Sequence, residues 1–536
     1  MAGLFALGPW VGHGQHWSDG LLPGADWSAA FLDFETTWQD SIPEKGKGFK
    51  PFMRWRHFAE QRFAFDESEA FHPDAPWQAT KWERMGRATR TAQENPIWTR
   101  AVPEGLPLVG GAGRVNRVVV DPSNAQRWFA CAPSGGCWET LDAGSHWNLM
   151  GTHDWAGMGV SDVALHPDDP NCILAATGDA DFGSAYAIGL MRTCDGGASW
   201  APTGLQFETE EALTCSRVHR KEGDPQQILV ATADGIWLSE DDGESFTRTI
   251  EGIFSDLTPH PGDSAVWHAA RRPGELFRST DGGRNWTPVP GMPSTFLASR
   301  YALATSASDP AFVAALGAKV GSQGLLGIYL SVDSGATYTA VENLPNLLGW
   351  TVDGVDQGGQ GFYDLALAID PLNSAHMIAG GVNLWESFDA GTTWACAAHW
   401  FAGGDAPYVH ADHHAVTFLP GSSDWISAHD GGVTRMGGEA PQDRSEGLEV
   451  GQVYAMAWSE NRPGRLISGW QDNGVNLLKA GVHAQVIGAD GFHCLVHPTS
   501  ADTLMASAYF GKVQTSTDGG WSWHPWIGSN GEGVDE

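Results

Sequence analysis

A short motif that recurs along the chain limits its fold more than any other feature of the sequence. The motif has the form Ser/Thr-x-Asp-x-Gly-x-x-aromatic, and we call it the repeat motif. The copies that keep the aromatic residue are TLDAGSHW (140–147), TCDGGASW (193–200), SEDDGESF (239–246), STDGGRNW (279–286), SVDSGATY (331–338), SFDAGTTW (387–394) and STDGGWSW (516–523). We interpret AHDGGVTR, around Asp430, and WQDNGVNL, around Asp472, as weaker copies without the aromatic residue.

The spacing of the motif predicts a repeated sheet. Successive motif aspartates are 40 to 56 residues apart, and a period of about 45 residues is typical of one four-stranded propeller blade. The aspartate can accept hydrogen bonds from the backbone of a tight turn, and the glycine permits a positive φ there. The motif therefore predicts a β-hairpin tip in which the aspartate has a structural role.

A second pattern predicts the innermost strand of each blade. Short alternating segments end at a proline in RVNRVVVDP (114–122), VSDVALHP (160–167), FSDLTPHP (254–261), YDLALAIDP (363–371), HHAVTFLP (413–420) and GFHCLVHP (491–498). Since strand side chains alternate, polar residues five or seven positions before the proline share one face. They predict a polar collar in a central channel, which either ties neighbouring blades together or binds a ligand. Its members are Arg117, Asp162, Asp256, Asp364, His413 and His493.

The composition agrees with an all-β chain and excludes some partners. The 536 residues include 68 glycines and 26 tryptophans, as expected for short strands joined by tight turns. The formal net charge of −33 argues against nucleic acid and anionic membrane surfaces, because both require a dense cationic face. No apolar run approaches the roughly 18 residues of a membrane helix, and the N-terminal residues lack the basic region of a signal peptide.

The seven cysteines of the chain form no CxxC pair. They therefore predict neither a zinc site nor a disulfide framework. The sequence still allows a single disulfide bridge, such as one from Cys131 to Cys137.

With these motifs in view, the chain resembles the BNR-repeat superfamily, whose Asp boxes have the form of the repeat motif. That superfamily includes sialidases, two-propeller xyloglucanases and sortilin-type domains. The order of the segments GRVNRVVVDP, PSGGCWETLDAG, GQGFYDLALAIDP, VHADHHAVTFLP, GWQDNGV and GADGFHCLVHP is similar to that in large secreted bacterial BNR proteins. The resemblance covers about residues 96–536. It implies an all-β fold, a β-propeller of four-stranded blades with Asp-box hairpins, and an extracellular or cell-surface location.

The resemblance leaves two arrangements of blades open. Similarity to xyloglucanases implies a seven-bladed propeller followed by the start of a second, whereas similarity to sortilin implies one ring of nine or ten blades. We expect the first arrangement. Residues 1–95 would then be an irregular Trp-rich segment packing on the propeller, residues 96–450 the first propeller, and residues 451–536 further blades, truncated if the chain is a fragment.

The candidate site residues lie at one mouth of the predicted channel. Glycoside hydrolysis needs two carboxyl groups about 5–9.5 Å apart, and we expect Asp430 and Asp490 to be that catalytic pair. The resemblance implies a catalytic aspartate in an early loop of xyloglucanases, where this chain has Ser134, and the arginine and tyrosine residues of sialidases find no match. We expect ligand binding by Arg117, Asp162, Asp364, His410, Asp412, His413, Asp472 and His493.

The segment VHADHHAV (409–416) contains candidate metal ligands. They are His410, Asp412 and His414, although an extended strand would separate the two histidines by about 13 Å. The sequence requires no cofactor and leaves room for a structural or site metal ion.

Three functions follow from these observations. Because Ser134 departs from the hydrolase pattern, we expect a secreted or surface-exposed propeller that binds a glycan or protein partner at the channel mouth. The first alternative is a glycoside hydrolase acting on a polysaccharide through paired aspartates. The second is a structural scaffold in a larger surface assembly.

Overall fold

Short strands and tight turns account for nearly all of the described chain. The computed structural model describes Thr36 and residues 106–527, except residues 108, 156, 403–405 and 439. The predicted N-terminal segment therefore lies outside the described residues, apart from Thr36. Within them, 36 strands form nine antiparallel four-stranded sheets. Three short 3-10 helices, Thr152–Asp154, Thr209–Glu211 and Tyr509–Gly511, interrupt them. The all-β, propeller-type architecture is confirmed.

The first five sheets occupy residues 117–340. Sheet 1 contains β1 (Arg117–Asp121), β2 (Asn124–Ala132), β3 (Gly136–Thr140) and β4 (Asn148–Leu149). Sheet 2 contains β5 (Val160–Leu165), β6 (Ile173–Thr177), β7 (Gly189–Thr193) and β8 (Ala201–Gln206). Sheet 3 contains β9 (Cys215–Lys221), β10 (Asp224–Thr232), β11 (Gly235–Ser239) and β12 (Thr247–Glu251). Sheet 4 contains β13 (Ile253–Pro259), β14 (Trp267–Arg272), β15 (Glu275–Ser279) and β16 (Thr287–Pro288). Sheet 5 contains β17 (Ala298–Thr305), β18 (Val313–Lys319), β19 (Leu325–Ser331) and β20 (Thr339–Ala340).

The remaining four sheets occupy residues 366–527. Sheet 6 contains β21 (Ala366–Asp370), β22 (Asn373–Gly380), β23 (Leu384–Ser387) and β24 (Ala395–Ala398). Sheet 7 contains β25 (His413–Phe418), β26 (Trp425–His429), β27 (Gly432–Met436) and β28 (Gln442–Asp443). Sheet 8 contains β29 (Val453–Trp458), β30 (Leu466–Trp470), β31 (Gly474–Lys479) and β32 (Val482–Ile487). Sheet 9 contains β33 (Gly491–His497), β34 (Ser500–Ala508), β35 (Lys512–Ser516) and β36 (His524–Ile527).

Every sheet is a meander in which each strand pairs with the next along the chain. The proline-closed segments of the sequence are first strands, as predicted. In sheets 1 to 7 burial falls from the first strand to the last: in sheet 5, six of the eight residues of β17 are buried, whereas both residues of β20 are exposed. This gradient is the one expected when first strands line an axis and fourth strands face solvent.

The hydrophobic core lies between neighbouring sheets. Apolar clusters join each of the first six sheets to the next along the chain. A further cluster joins sheet 1 to sheet 7, where Val118 and Trp128 pack with Ile426 and Ala428. The Thr417 hydroxyl also donates a 2.8 Å hydrogen bond to the Val118 carbonyl. Sheets 8 and 9 share a separate cluster that includes Ile467 and Leu504.

The repeat motif forms the turn between the third and fourth strands, as its residues predict. In sheet 4, Asp281 accepts hydrogen bonds from the Ser279 hydroxyl, the Asn285 amide and the Asn285 side chain at 2.9, 2.9 and 2.6 Å. The Gly283 amide donates to the Ser279 hydroxyl at 2.9 Å, and Gly283 has a φ of +83°. These bonds all lie within seven residues, which explains why the motif is legible in the sequence.

The prediction that Asp430 and Asp472 belong to weaker copies of the motif is wrong. Asp430 lies between β26 and β27, and Asp472 lies between β30 and β31. Each therefore occupies the turn from the second to the third strand, at the opposite end of its sheet from the repeat motifs. The Asp-x-Gly string is similar in both places because tight turns favour the same residue types.

A disulfide forms elsewhere than the one suggested by the sequence. Cys172 and Cys194 are bonded, whereas Cys131 and Cys137 are both free and buried. Cys131 and Cys137 do face each other across β2 and β3. Among the described residues, no helix is long and apolar enough to span a membrane.

Candidate functional site

Five aspartates meet at one end of the sheets, which we call the mouth. In a four-stranded meander the turn from the second to the third strand and the connection to the next sheet lie at the same end. Asp430 and Asp472 occupy such turns, while Asp364, Asp412 and Asp490 stand one or two residues before first strands. These five residues form the carboxylate cluster. They come from four sheets in succession, sheets 6 to 9.

Three members of the cluster are in close contact. One carboxylate oxygen each from Asp412, Asp430 and Asp472 lies within 4.8 Å of the other two. Asp412 and Asp472 are partly exposed, whereas Asp430 is only 1% exposed. The Asp472 amide donates to Asp490 Oδ1 at 2.7 Å, and Gln360 Nε2 donates to Asp412 Oδ1 at 2.8 Å. Asp430 is thus the most buried of the three, and Asp412 and Asp472 are the two that solvent partly reaches.

Asp430 is held in its ionised form by specific donors. The Tyr363 hydroxyl donates to Oδ2 at 2.6 Å, and His414 Nε2 lies 2.8 Å from Oδ1. Burial opposes ionisation of Asp430, but the positive charge of His414, its hydrogen bond and the charge of Arg114 outweigh it, so the pKa of Asp430 is lowered.

The pKa values of three other carboxyl groups in the cluster are raised rather than lowered. Burial, followed by the charges of Asp412 and Asp430, raises the pKa of Asp364 well above its usual range. Burial and the Asp430 charge raise the pKa of Asp412 to about 7. Burial, followed by Asp430 and Asp490, also raises the pKa of Asp472 well above its ordinary value. Like charges crowded away from water cannot all stay ionised without compensation.

Cations from other sheets complete the network around Asp430. Arg114 pairs with Asp179 and donates to the Tyr363 hydroxyl at 3.2 Å. Asp181 lies 3.3 Å from His414 Nδ1 and accepts a 2.6 Å hydrogen bond from Arg300. Although burial disfavours its charge, Asp430 and Asp181 raise the pKa of His414 to about 9.

Three residues of the predicted collar tie neighbouring sheets together. Arg117 Nε lies 3.6 Å from Asp162 Oδ1, and Asp162 Oδ2 accepts a 3.1 Å hydrogen bond from the Val218 amide. Asp256 makes the same kind of link through Arg217 and the Leu303 amide, at 2.7 and 2.8 Å. These contacts support the structural interpretation of the collar in sheets 1 to 5.

The predicted histidines are dispersed around the mouth. His410 Nε2 lies 3.1 Å from the Asp472 carbonyl, and His413 shares a 2.7 Å hydrogen bond with the Ser427 hydroxyl. Both ring nitrogens of His414 face carboxylates, so neither is directed towards a shared ion. His493 is exposed on β33. Of the three candidate metal ligands, only Asp412 lies in the close group of carboxylates.

Ser134, the position that departs from the xyloglucanase pattern, lies in the turn between β2 and β3. It is exposed, and its hydroxyl accepts a 2.8 Å hydrogen bond from Gln452 Nε2. Residue 452 precedes the first strand of sheet 8. Ser134, at the position where the resemblance to xyloglucanases implies an aspartate, therefore lies beside the connection from sheet 7 to sheet 8.

Sequence reasoning missed the residues that support Asp430. Arg114 and Tyr363 each stand three residues before a first strand, the same kind of position that supplied Asp364. An alignment of these positions before each first strand could have drawn attention to them. Arg300 lies within a first strand that ends without a proline, so the pattern used to find those strands did not include it.

Comparison with known proteins gives relatives of low identity. No family model matches the chain. A xyloglucanase from a Paenibacillus species is 24% identical over 367 residues, which cover 59% of this chain and 34% of that protein. A xyloglucanase from Hypocrea jecorina is 24% identical over 398 residues, covering 63% of this chain and 44% of that protein. The chain thus spans less than half the length of these relatives.

Solved structures confirm the fold. The GH74 xyloglucanase from Xanthomonas campestris superposes with a TM-score of 0.59 at 16% identity, covering 79% of this chain and 69% of that one. The GH74 enzyme from Niastella koreensis gives a TM-score of 0.58 at 16% identity, covering 80% and 68%. At this identity the likeness concerns architecture alone.

Proposed function

We propose that this protein is a glycoside hydrolase that acts on a polysaccharide at the mouth. The observation that carries the proposal is the pair of partly exposed carboxylates, Asp412 and Asp472, on sheets 7 and 8, with oxygens within 4.8 Å of each other. Glycosidases that retain anomeric configuration place two carboxyl groups about 5–5.5 Å apart. The names of the curated relatives suggest xyloglucan as the first substrate to test.

The roles assigned here differ from the pair expected from the sequence. Asp430 and Asp490 are only 1% and 3% exposed, so a sugar at the mouth meets Asp412 and Asp472 first. We assign the general acid to Asp472 and the nucleophile to Asp412. Asp430 lies behind them, where its contacts with Tyr363 and His414 hold the cluster in place.

Hydrolysis is tested with a panel of plant, algal and bacterial polysaccharides that includes xyloglucan, in a buffer containing a chelator. We expect new reducing ends from the wild-type chain and a loss of about 10²–10⁴-fold in Asp472→Asn. Asp353→Asn, an exposed aspartate outside the cluster, should keep full activity. Product analysis by NMR should show retained configuration.

Two results would contradict this assignment. Equal release of reducing ends by wild type and Asp472→Asn would remove Asp472 from the reaction. Absence of release from every polysaccharide by the wild-type chain would reject the hydrolase function.

The second candidate is binding without cleavage, and Ser134 favours it. The resemblance implies an acid at this position in active xyloglucanases, whereas here a neutral hydroxyl bonds to Gln452. Retention of a polysaccharide by the immobilised chain, without new reducing ends, would support this candidate. A protein partner or an assembly role becomes the remaining proposal if both retention and cleavage fail.

We further infer that sheets 1 to 7 close into one propeller and that sheets 8 and 9 belong to a second. The shared core of sheets 1 and 7 supports closure. So does Trp147 of sheet 1, whose indole donates to the Arg444 carbonyl after sheet 7 at 2.8 Å. Trp200 of sheet 2 makes the equivalent bond to Met150 after sheet 1, at 2.7 Å. The proposed site then lies where the two propellers meet.

An extracellular or surface location remains part of the proposal. The bond between Cys172 and Cys194 supports it, because disulfides persist mainly in oxidising compartments. The net charge of −33 suits a soluble surface in that setting.

A further inference from the structure

The carboxylate cluster concentrates negative charge that the surrounding residues do not balance. Arg114 and Arg300, which enter the same network, are each paired with an aspartate outside the cluster, Asp179 and Asp181. His414 is shared between Asp181 and Asp430. Asp364, Asp412 and Asp472 therefore lie near one another without an ion pair of their own among the described residues.

Asp364 supplies an independent observation. It is fully buried, and no other described residue donates a hydrogen bond to either carboxylate oxygen. The charges that act on it most strongly are those of Asp412 and Asp430, so its carboxyl group faces the cluster. A buried carboxyl group without a donor is costly unless something else supplies positive charge or a proton.

We propose that the carboxylate cluster binds a divalent cation of the calcium type through Asp412, Asp430 and Asp472, with the buried Asp364 beside them. The ligands are all hard oxygens, which calcium and magnesium prefer over other groups. Asp430 keeps a free lone pair on each oxygen after bonding to Tyr363 and His414. Sugar hydroxyls or water would complete the coordination on the exposed side.

The spacing of the oxygens is compatible with calcium. Two oxygens bound to one calcium ion at 2.3–2.6 Å can be up to about 5 Å apart. The oxygens of Asp412, Asp430 and Asp472 lie within 4.8 Å of one another. Each pair of oxygens therefore stays inside the range that calcium allows, and the flexible coordination of calcium tolerates an irregular site better than the octahedral coordination of magnesium does.

The cation site goes beyond the proposed hydrolysis and bears on its regulation. An ion coordinated by Asp412 and Asp472 prevents both from acting on a glycosidic bond. Where the chain is a hydrolase, we therefore expect added calcium to lower the release of reducing ends.

The test is calorimetric titration of the chelator-treated full chain with calcium chloride and, separately, magnesium chloride, at pH 7.5 and without polysaccharide. We expect one calcium ion per chain and weaker magnesium binding. Asp364→Asn, which preserves size, and Asp472→Asn should each lower calcium affinity at least tenfold. Asp353→Asn, on the surface, should bind as wild type does.

Thermal unfolding provides a second readout for the same variants. Calcium should raise the Tm of the wild type and of Asp353→Asn, because a ligand that binds only the folded state stabilises it. The shift should be lost in Asp364→Asn, whose own Tm in chelator should equal or exceed that of wild type because a neutral amide replaces a buried carboxyl group. Absence of a calcium effect on wild type, or equal affinity in Asp364→Asn, would overturn the proposal. Since these measurements contain no polysaccharide, their failure is distinct from failure of hydrolysis.

Discussion

At the scale of single residues, two buried aspartates at the mouth differ in pKa because their neighbours differ. Asp430 and Asp364 are both almost fully buried aspartates. Asp430 receives hydrogen bonds from Tyr363 and His414 and stays ionised. Asp364 receives none from another described residue, and its pKa is raised. The difference comes from the donors around Asp430, Tyr363 before sheet 6 and His414 on the first strand of sheet 7.

A buried histidine makes the fold sensitive to acid. His268 is 1% exposed, and neither ring nitrogen has a hydrogen-bond partner within the part of the chain that the structure describes. Burial, followed by the charges of Arg278 and His260, lowers its pKa from 6.5 to about 3. Between those values the unfolded chain binds a proton that the folded chain does not, so His268 costs stability as pH falls from about 6.5 towards about 3.

We predict that His268→Phe reduces this acid sensitivity. Up to about 1.4 kcal/mol per pH unit comes from one such histidine, and the variant should lose that slope between pH 6.5 and pH 4. Urea unfolding at a series of pH values measures it. His497→Gln, at an exposed position on β33, should keep the wild-type slope, and an unchanged slope in His268→Phe would refute the assignment.

At the scale of elements, the two kinds of turn differ in what their aspartates do. The repeat motifs stabilise hairpins, whereas the turns between second and third strands bring carboxylates to the mouth. The motifs satisfy their own polar groups locally, as Asp281 does with Ser279 and Asn285. The turns at Asp430 and Asp472 instead place their carboxylates close to those from neighbouring sheets. At one end of the sheets the polar groups of the turns bond to one another, and at the other end the turns present carboxylates that can bind a ligand.

We predict that Asp281→Ala destabilises sheet 4 without affecting the mouth. Removing the acceptor leaves the turn donors unpaired and should cost about 1–3 kcal/mol in the free energy of unfolding. Hydrogen exchange should become faster in β15 and β16 while the mouth residues keep their protection. Glu222→Ala, an exposed turn residue in sheet 3, is the control. Equal protection of β15 and β16 in Asp281→Ala and wild type would contradict this role.

At the scale of the whole molecule, the packing of sheet 7 on sheet 1 decides the architecture that we infer. A single ring of nine sheets would place sheet 9 beside sheet 1. The core instead joins Val118 to Ile426 and Ala428, while Leu504 of sheet 9 packs in a cluster with residues of sheet 8.

We predict that Ile426→Ala loosens sheets 1 and 7 together. Truncating this buried side chain should cost about 2–5 kcal/mol. Hydrogen exchange should rise in β1, β2 and β26 and stay unchanged in sheet 9. Leu504→Ala is the matched control, with increased exchange confined to sheets 8 and 9. Faster exchange in sheet 9 after Ile426→Ala would argue for a single ring.

The sequence was sufficient for the features whose causes are local. The aspartate and the Ser or Thr side chain of each repeat motif form their turn hydrogen bonds within about eight residues, so the hairpins and their period were predictable from residue types alone. The first strands closed by proline were predictable for the same reason. Arg117 and Asp162 were predictable as members of one polar row, whereas their contact at 3.6 Å is seen only in the structure.

Only the tertiary structure determines which residues lie together at the mouth. Asp364, Asp412, Asp430 and Asp472 come from three successive sheets, sheets 6 to 8, and their distances depend on how whole sheets pack. Arg114 and Tyr363 bond to each other across 249 residues of chain, which no local pattern encodes. The same physical reason explains the error at Asp430 and Asp472: a tight turn selects aspartate and glycine wherever it occurs, and the position of that turn in the sheet determines whether the carboxylate supports a hairpin or joins the site.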